Sequence, residues 1–116
     1  MQSKILKKST QPIPSSARGK KRYVKVKFIS ERQLNEIEVS KAVIAAAQQL
    51  FGEQGMAVHR IQFMDFDAKG NAAIVRCSNK AVEQAKTALL FVKRIGDCNV
   101  IPVIQRVSGS ISKLLG

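Results

Sequence analysis

Between residues 23 and 50 the spacing of apolar side chains changes from two to between three and four, the mark of a strand followed by a helix. Val24, Val26 and Phe28 alternate with Tyr23, Lys25 and Lys27, the pattern of a strand buried on one face. Val39, Val43, Ala46, Ala47 and Leu50 then fall on one helical stripe. Asn35, with Glu38 three residues later, marks the helix start, because each side chain can satisfy a free backbone amide there. Gly52 or Gly55 is expected to end the helix in a left-handed conformation.

The same switch of period then recurs. Val58 to Phe66 reads as a second strand, with Ile61 and Phe63 on one face and Arg60, Gln62 and Met64 on the other. Asp67-Ala-Lys-Gly-Asn71 reads as a hairpin loop in which Gly70 and Asn71 tolerate positive φ, and Ala72 to Cys77 as the returning strand. Ser78 or Asn79 caps a second helix whose stripe holds Val82, Ala85, Leu89 and Val92, closed by Gly96 after Lys93 and Arg94. Asn99 to Val107 is the fourth strand, and Pro102, without a backbone donor, confines it to a sheet edge. Ser108-Gly-Ser110 opens a short last helix, Ile111 to Leu115.

The order β-α-β-β-α-β predicts an α+β, ferredoxin-like two-layer sandwich: a four-stranded antiparallel sheet, first and third strands central, two helices on one face, and a short C-terminal helix. Val24, Val26, Phe28, Ile61, Phe63, Val75 and Cys77 should face the helices, leaving Tyr23, Lys25, Lys27, Arg60, Ile74 and Arg76 on the open face. Met64, Ile74 and Ile104 on that face call for something to cover it.

At 116 residues the chain suits one small domain and is too short for a multidomain enzyme. Twenty Lys and Arg oppose eight Asp and Glu, a formal charge of +12, with a pI near 10.3. Such a surface gains free energy by displacing counterions from a phosphate backbone, so nucleic acid is the expected partner. Seven of the cations and none of the acids lie in residues 1–22, together with Pro12, Pro14, Ser15, Ser16 and Gly19. That segment is expected to be a basic, disordered arm preceding a single RNA-binding domain over 23–116. An arm that orders on RNA is the preferred reading; a solvated tail is the alternative. No apolar run approaches membrane-spanning length and no secretory signal is evident, so a cytoplasmic protein without a membrane partner is expected.

Catalytic chemistry finds little to work with. His59 has no carboxylate or cysteine near it at metal-ligand spacing and reads as structural. Cys77 and Cys98 read as buried thiols rather than a disulfide or zinc pair. Asp65 and Asp67 could hold a magnesium ion, but hairpin entries commonly carry acids. No catalytic residue, metal site or phosphate loop is assigned. The third strand lacks aromatic residues and the first offers Tyr23 alone on its open face, which disfavours base stacking on the sheet centre and favours contact with phosphates and RNA shape.

Four runs, Arg22-Tyr-Val-Lys-Val-Lys-Phe-Ile-Ser-Glu-Arg32, Leu50-Phe-Gly-Glu-Gln-Gly55, Ile74-Val-Arg-Cys77 and Arg106-Val-Ser-Gly-Ser-Ile111, resemble the protein component 2 family of archaeal ribonuclease P, which has a eukaryotic relative in ribonucleases P and MRP. The resemblance spans about residues 20 to 115. It implies a non-catalytic subunit of the ribonucleoprotein that removes the 5′ leader of precursor tRNA, with the active site and its magnesium ions held by the RNA. It also implies a TIM-barrel-like ribonuclease P protein as partner, often in a two-plus-two assembly, and in a eukaryote a nuclear or nucleolar location. Lys20, Lys21, Arg22, Lys25, Lys27 and Arg32 are the expected RNA contacts, joined by Arg76 and Arg106, which could equally tie the sheet to the last helix. Met64, Ile74, Ile111, Leu114 and Leu115 are candidates for protein contacts, with plain core packing the alternative for the last three. The 22-residue basic lead departs from the family pattern. A small regulatory or dimerising domain of the same topology, and another basic RNA-binding protein such as a ribosomal protein, are the competing readings.

Overall fold

The computed structural model describes residues 20–115; the expected arm therefore lies, up to residue 19, outside the described residues. The first strand, β1 (Lys21–Ile29), begins two residues before the expected start, so Lys21 and Arg22 belong to the sheet. Val24, Val26 and Phe28 are completely buried along it, and the residues between them stand on the opposite face, as the two-residue period requires. The following helix, α1 (Glu36–His59), opens with the expected reciprocal cap: Asn35 Oδ1 accepts from the Glu38 N–H at 2.9 Å, and Glu38 Oε2 accepts from the Asn35 N–H at 2.9 Å. A cap of this kind contributes about 1 kcal/mol.

The far end of α1 differs from expectation. Gly52 adopts φ 69° and ψ 178°, a break that favours glycine, but the chain resumes helical geometry and runs on to His59. A Cβ at Gly52 would meet nothing within 4 Å, so the requirement there is one of backbone conformation rather than space. Val58 and His59 are consequently helical and not the start of a strand. The His59 ring packs edge-on to Phe51, centroids 4.9 Å apart. Local sequence did not show this, because Phe51 and Met56, on either side of the break, pack against the core and carry the helix on.

After α1 come β2 (Gln62–Asp67) and β3 (Ala72–Ser78), joined by the expected hairpin, in which Asn71 takes the positive φ and Gly70 does not. A 3₁₀ turn (Asn79–Ala81), capped by the Ser78 side chain, leads into α2 (Val82–Leu90). Gly96 does not close α2. The helix ends at Leu90, and Gly96, at φ 61°, makes the turn of a small extra hairpin of β4 (Arg94–Ile95) and β5 (Cys98–Asn99). The last strand is β6 (Ile101–Ser108), followed by α3 (Ser112–Leu115).

The four long strands form an antiparallel sheet in the order β2-β3-β1-β6, with the first and third of them central and Pro102 on an edge strand. This is the ferredoxin-like arrangement expected from the element order. Helices α1 and α2 pack on the inner face, where Val39, Val43, Ala47, Ala85, Ala88 and Leu89 meet the strand residues in one core. Two bulges change which side chains face outward. The register of β6 against β1 slips between Lys25 and Val26, which sets Ile104 opposite Val26 and against the core instead of on the open face. A second slip in β2, after Phe63, leaves Met64 without a partner on β3 and turns Phe66 inward.

Candidate nucleic-acid interface

The open face is laid out by the pairing register. Tyr23 stands between Arg76 and Ser108, Lys25 between Ile74 and Arg106, and Lys27 between Ala72 and Val103. Beyond Lys27 the strip ends in Ile29 opposite Ile101, both at least half exposed. Asp65 and Asp67 lie on the same face along β2, paired with Ile74 and Ala72. Each caps local backbone: Asp65 Oδ1 accepts from the Phe66 N–H and Asp67 Oδ1 from the Lys69 N–H. Among the described residues no three His, Cys, Asp or Glu side chains come close enough together to hold a metal ion.

Part of this face is covered by the chain itself. The α3 helix lays Leu114, 2% exposed, beside Ile74, 4% exposed, over a small cleft shared with Lys25, Asp65 and Leu115. Lys25 Nζ donates to the Leu114 carbonyl at 3.0 Å, and Arg106 Nη1 to the Lys113 carbonyl at 3.4 Å. Cations at a helix C-terminus satisfy its last carbonyls and suit its partial negative charge. Of the five apolar residues singled out for protein contact, Ile74 and Leu114 thus bury each other, Ile111 is half-buried, and Met64 and Leu115 remain exposed.

The cations divide into two groups. Lys20, Lys21 and Lys27 are exposed, and Arg22 and Arg76 are half-buried. Arg22 Nη1 donates to the Lys21 carbonyl at 2.9 Å, and a Cβ on Gly109 would come within 3.3 Å of that same nitrogen, so glycine there lets the loop before α3 close on β1. The Lys20 carbonyl accepts from the Asn79 N–H at 2.7 Å, which fixes the entry to β1 beside the end of β3.

Arg32 is set apart. Its guanidinium donates to Glu38 at 2.7 and 2.9 Å, to Asp97 Oδ1 at 2.9 Å and to the Gln33 carbonyl at 3.1 Å. These contacts join the β1–α1 loop to the cap of α1 and to the β4–β5 hairpin. The hydrogen bonds from Arg32, with that from the Asn35 amide, hold the Glu38 carboxyl down at about 2, and the two carboxylates push the Arg32 guanidinium above its ordinary value. Gly96 makes room for the cluster, since a Cβ there would stand 2.6 Å from Glu38 Oε1. Sequence reading singled out Arg32 and Glu38 separately; the third member of the cluster, Asp97, lies 65 residues from Arg32 and no local pattern points to it.

The two thiols are both buried and unpaired. Burial pushes the Cys77 thiol up, with Arg22 partly opposing the shift. Cys98 shares a 2.9 Å hydrogen bond with the Ser30 hydroxyl. At the opposite end of β1, Lys21, Arg60 and Arg76 surround a recess that sequence reading did not anticipate.

Comparison with known proteins places this arrangement. The model of the Rpp14/Pop5 family matches residues 22–115, nearly all of the described chain. Ribonuclease P protein component 2 of Archaeoglobus fulgidus is 34% identical over 87% of this chain and 90% of the relative. Its counterpart in Thermococcus kodakarensis is 35% identical over 88% and 85%, and that of Pyrococcus furiosus 33% over the same shares. A chain in the cryo-electron microscopy structure of yeast ribonuclease MRP superposes with a TM-score of 0.58, covering 79% of this chain and 76% of that one. At 13% identity this last likeness bears on the fold.

Proposed function

The chain belongs to the Rpp14/Pop5 family, and from that premise we propose that it is a protein subunit of ribonuclease P, the ribonucleoprotein that removes the 5′ leader of precursor tRNA. The observation that carries the reading is the match to archaeal protein component 2 along almost the whole length of both chains. The basic surface supports it. Lys21, Lys25, Lys27, Arg76 and Arg106 stand on the outer face of β1, β3 and β6, with Lys20 and Arg22 beside them at the entry to the sheet.

The role follows from what such a surface can do. Crowded phosphates repel one another, and fixed cations lower the cost of holding an RNA fold and its metal ions in place. Bond breaking is assigned to the RNA, which supplies the active site and binds magnesium, while this chain contributes positive potential and shape. Arg32 serves the fold rather than this surface, since its donors are committed to Glu38, Asp97 and Gln33. A TIM-barrel-like ribonuclease P protein, in a two-plus-two assembly, is the proposed protein partner, and Met64 and Leu115 are exposed and available for it. The cytoplasm is the proposed location.

Reconstitution tests the proposal. Ribonuclease P RNA and the remaining proteins are mixed with and without this chain, and precursor-tRNA cleavage is measured at limiting magnesium. Addition of the chain is expected to raise the cleavage rate and lower the magnesium requirement. Unchanged rates at every magnesium concentration would overturn the proposal.

A further inference from the structure

At the N-terminal end of β1 the sheet has a missing corner. The β2–β3 ladder begins at Gln62 opposite Arg76, so Cys77 and Ser78 continue β3 with no β2 residue beside them. The chain reaches that point by an abrupt turn: Arg60 closes α1 in the left-handed conformation, φ 58° and ψ 42°. Ile61 then turns under the helix, 7% exposed, while Arg60 stays in solvent. Between these segments lies a recess of about 290 Å³. Met56, Ile61 and Cys77 make an apolar floor, and Lys21, Arg60 and Arg76 make a cationic rim.

We infer that this recess holds one unstacked nucleotide of the bound RNA, its base against the Met56–Ile61 floor and its phosphate among Lys21, Arg60 and Arg76. The inference rests on the ribonuclease P reading above and adds a specific subsite to it.

Charge is the first argument. None of the chain's eight acidic residues lines the recess, and among the described residues none forms a salt bridge with Lys21, Arg60 or Arg76. Three like charges around one opening repel one another, and an anion between them relieves that repulsion. At the end of α1 the Ala57 and Met56 carbonyls each accept a backbone bond, from the Arg60 and Ile61 N–H groups at 3.3 and 3.2 Å. Arg60 itself is the second argument. Glycine is the usual residue just past a helix end in this conformation, and a side chain there is tolerated at a cost that clusters at functional positions.

The floor decides between a bare phosphate and a nucleotide. An inorganic anion gains nothing from a thioether and an isoleucine, whereas the flat face of a base does. Gln62, also on the lining, offers both a donor and an acceptor to a base edge, and guanidinium planes stack on bases. Bases held in a duplex cannot enter such a recess, so the subsite takes a loop, bulge or strand end.

The test uses the full-length protein with a five-nucleotide single-stranded RNA and, separately, inorganic phosphate. Met56 carries the reporter methyl, and Met64, exposed at the bulge of β2, is the internal reference. The oligonucleotide is expected to shift the Met56 methyl and the Arg60 Nε–H signals together, leaving Met64 unmoved. Movement of Arg60 alone, with either probe, would reduce the site to a phosphate contact and overturn the nucleotide assignment. In parallel, Arg60→Gln should weaken binding to ribonuclease P RNA about tenfold and lower the salt slope by about one, with Arg60→Lys restoring the slope. If the wild-type chain stimulates cleavage and Arg60→Gln binds the RNA equally well, the subsite is wrong and the subunit assignment stands. A wild-type chain that stimulates nothing removes both.

Discussion

The two ends of β1 are both rich in cations, yet folding treats them in opposite ways. Past the C-terminal end, Arg32 is held between Glu38 and Asp97, and its charge goes into joining a loop, a helix cap and a hairpin. At the N-terminal end, Lys21, Arg60 and Arg76 gather around a recess that no carboxylate lines, and their potential is left to act outward. The lesson is that residue type does not assign an arginine to stability or to binding. The carboxylates that tertiary folding brings to it do.

The largest effect tests whether both ends depend on one support. Phe28 is wholly buried in the central strand, and Phe28→Ala should cost about 3–5 kcal/mol in denaturant unfolding. A loss below about 1 kcal/mol would show that the strand does not tie the two ends together. The end proposed to meet RNA comes next. Replacing Lys20, Lys21, Arg22, Lys25 and Lys27 with Ala should lower the slope of log affinity for RNA against log salt by about 4, while secondary structure persists. An unaltered slope would place the RNA on another surface.

Leu114→Ala probes the middle of the strip, where α3 covers Ile74. A loss of about 2 kcal/mol is expected, near the low end for a buried leucine because a four-residue helix can fray instead of leaving a cavity. Hydrogen exchange should show the loss confined to α3 and the neighbouring stretch of β3; protection lost throughout the sheet would contradict a local cover. The smallest effect belongs to the latched end. Glu38 titrates near 2 in the fold against an ordinary 4.5, so its contribution is complete above about 4.5 and disappears as pH falls toward 2. Glu38→Gln should therefore flatten the acid limb of the stability curve within that window. Parallel acid limbs for the two proteins would show that the latch does not hold Glu38 ionised.

Much of this could be read from local pattern. The inner face of β1, the Asn35–Glu38 cap, the hairpin at Asn71 and the edge placement of Pro102 each follow from interactions within a few residues, which local sequence encodes directly. Failures arose where a distant contact outweighed the local signal. Gly52 looked like a helix end, yet packing of Phe51 and Met56 on the core carries the chain on to His59. Gly96 looked like the close of α2 and instead turns a hairpin beside Glu38. Ile104 was expected outside, and one bulge brought it in.

The candidate site divides in the same way. That β1 would carry Lys25 and Lys27 on one face, and that the chain would attract a polyanion, followed from a period of two and from net charge alone. Residues 1–19 add four cations to that attraction through composition. Which cations remain unpaired was settled by tertiary structure, because Asp97 comes to Arg32, and Arg60 comes to Arg76, only when elements far apart in the chain are packed side by side. Hydrophobic period and charge are properties of neighbours in sequence. The recess and the Arg32–Asp97 pair belong to neighbours in space, and no short window of residues contains both sides of either.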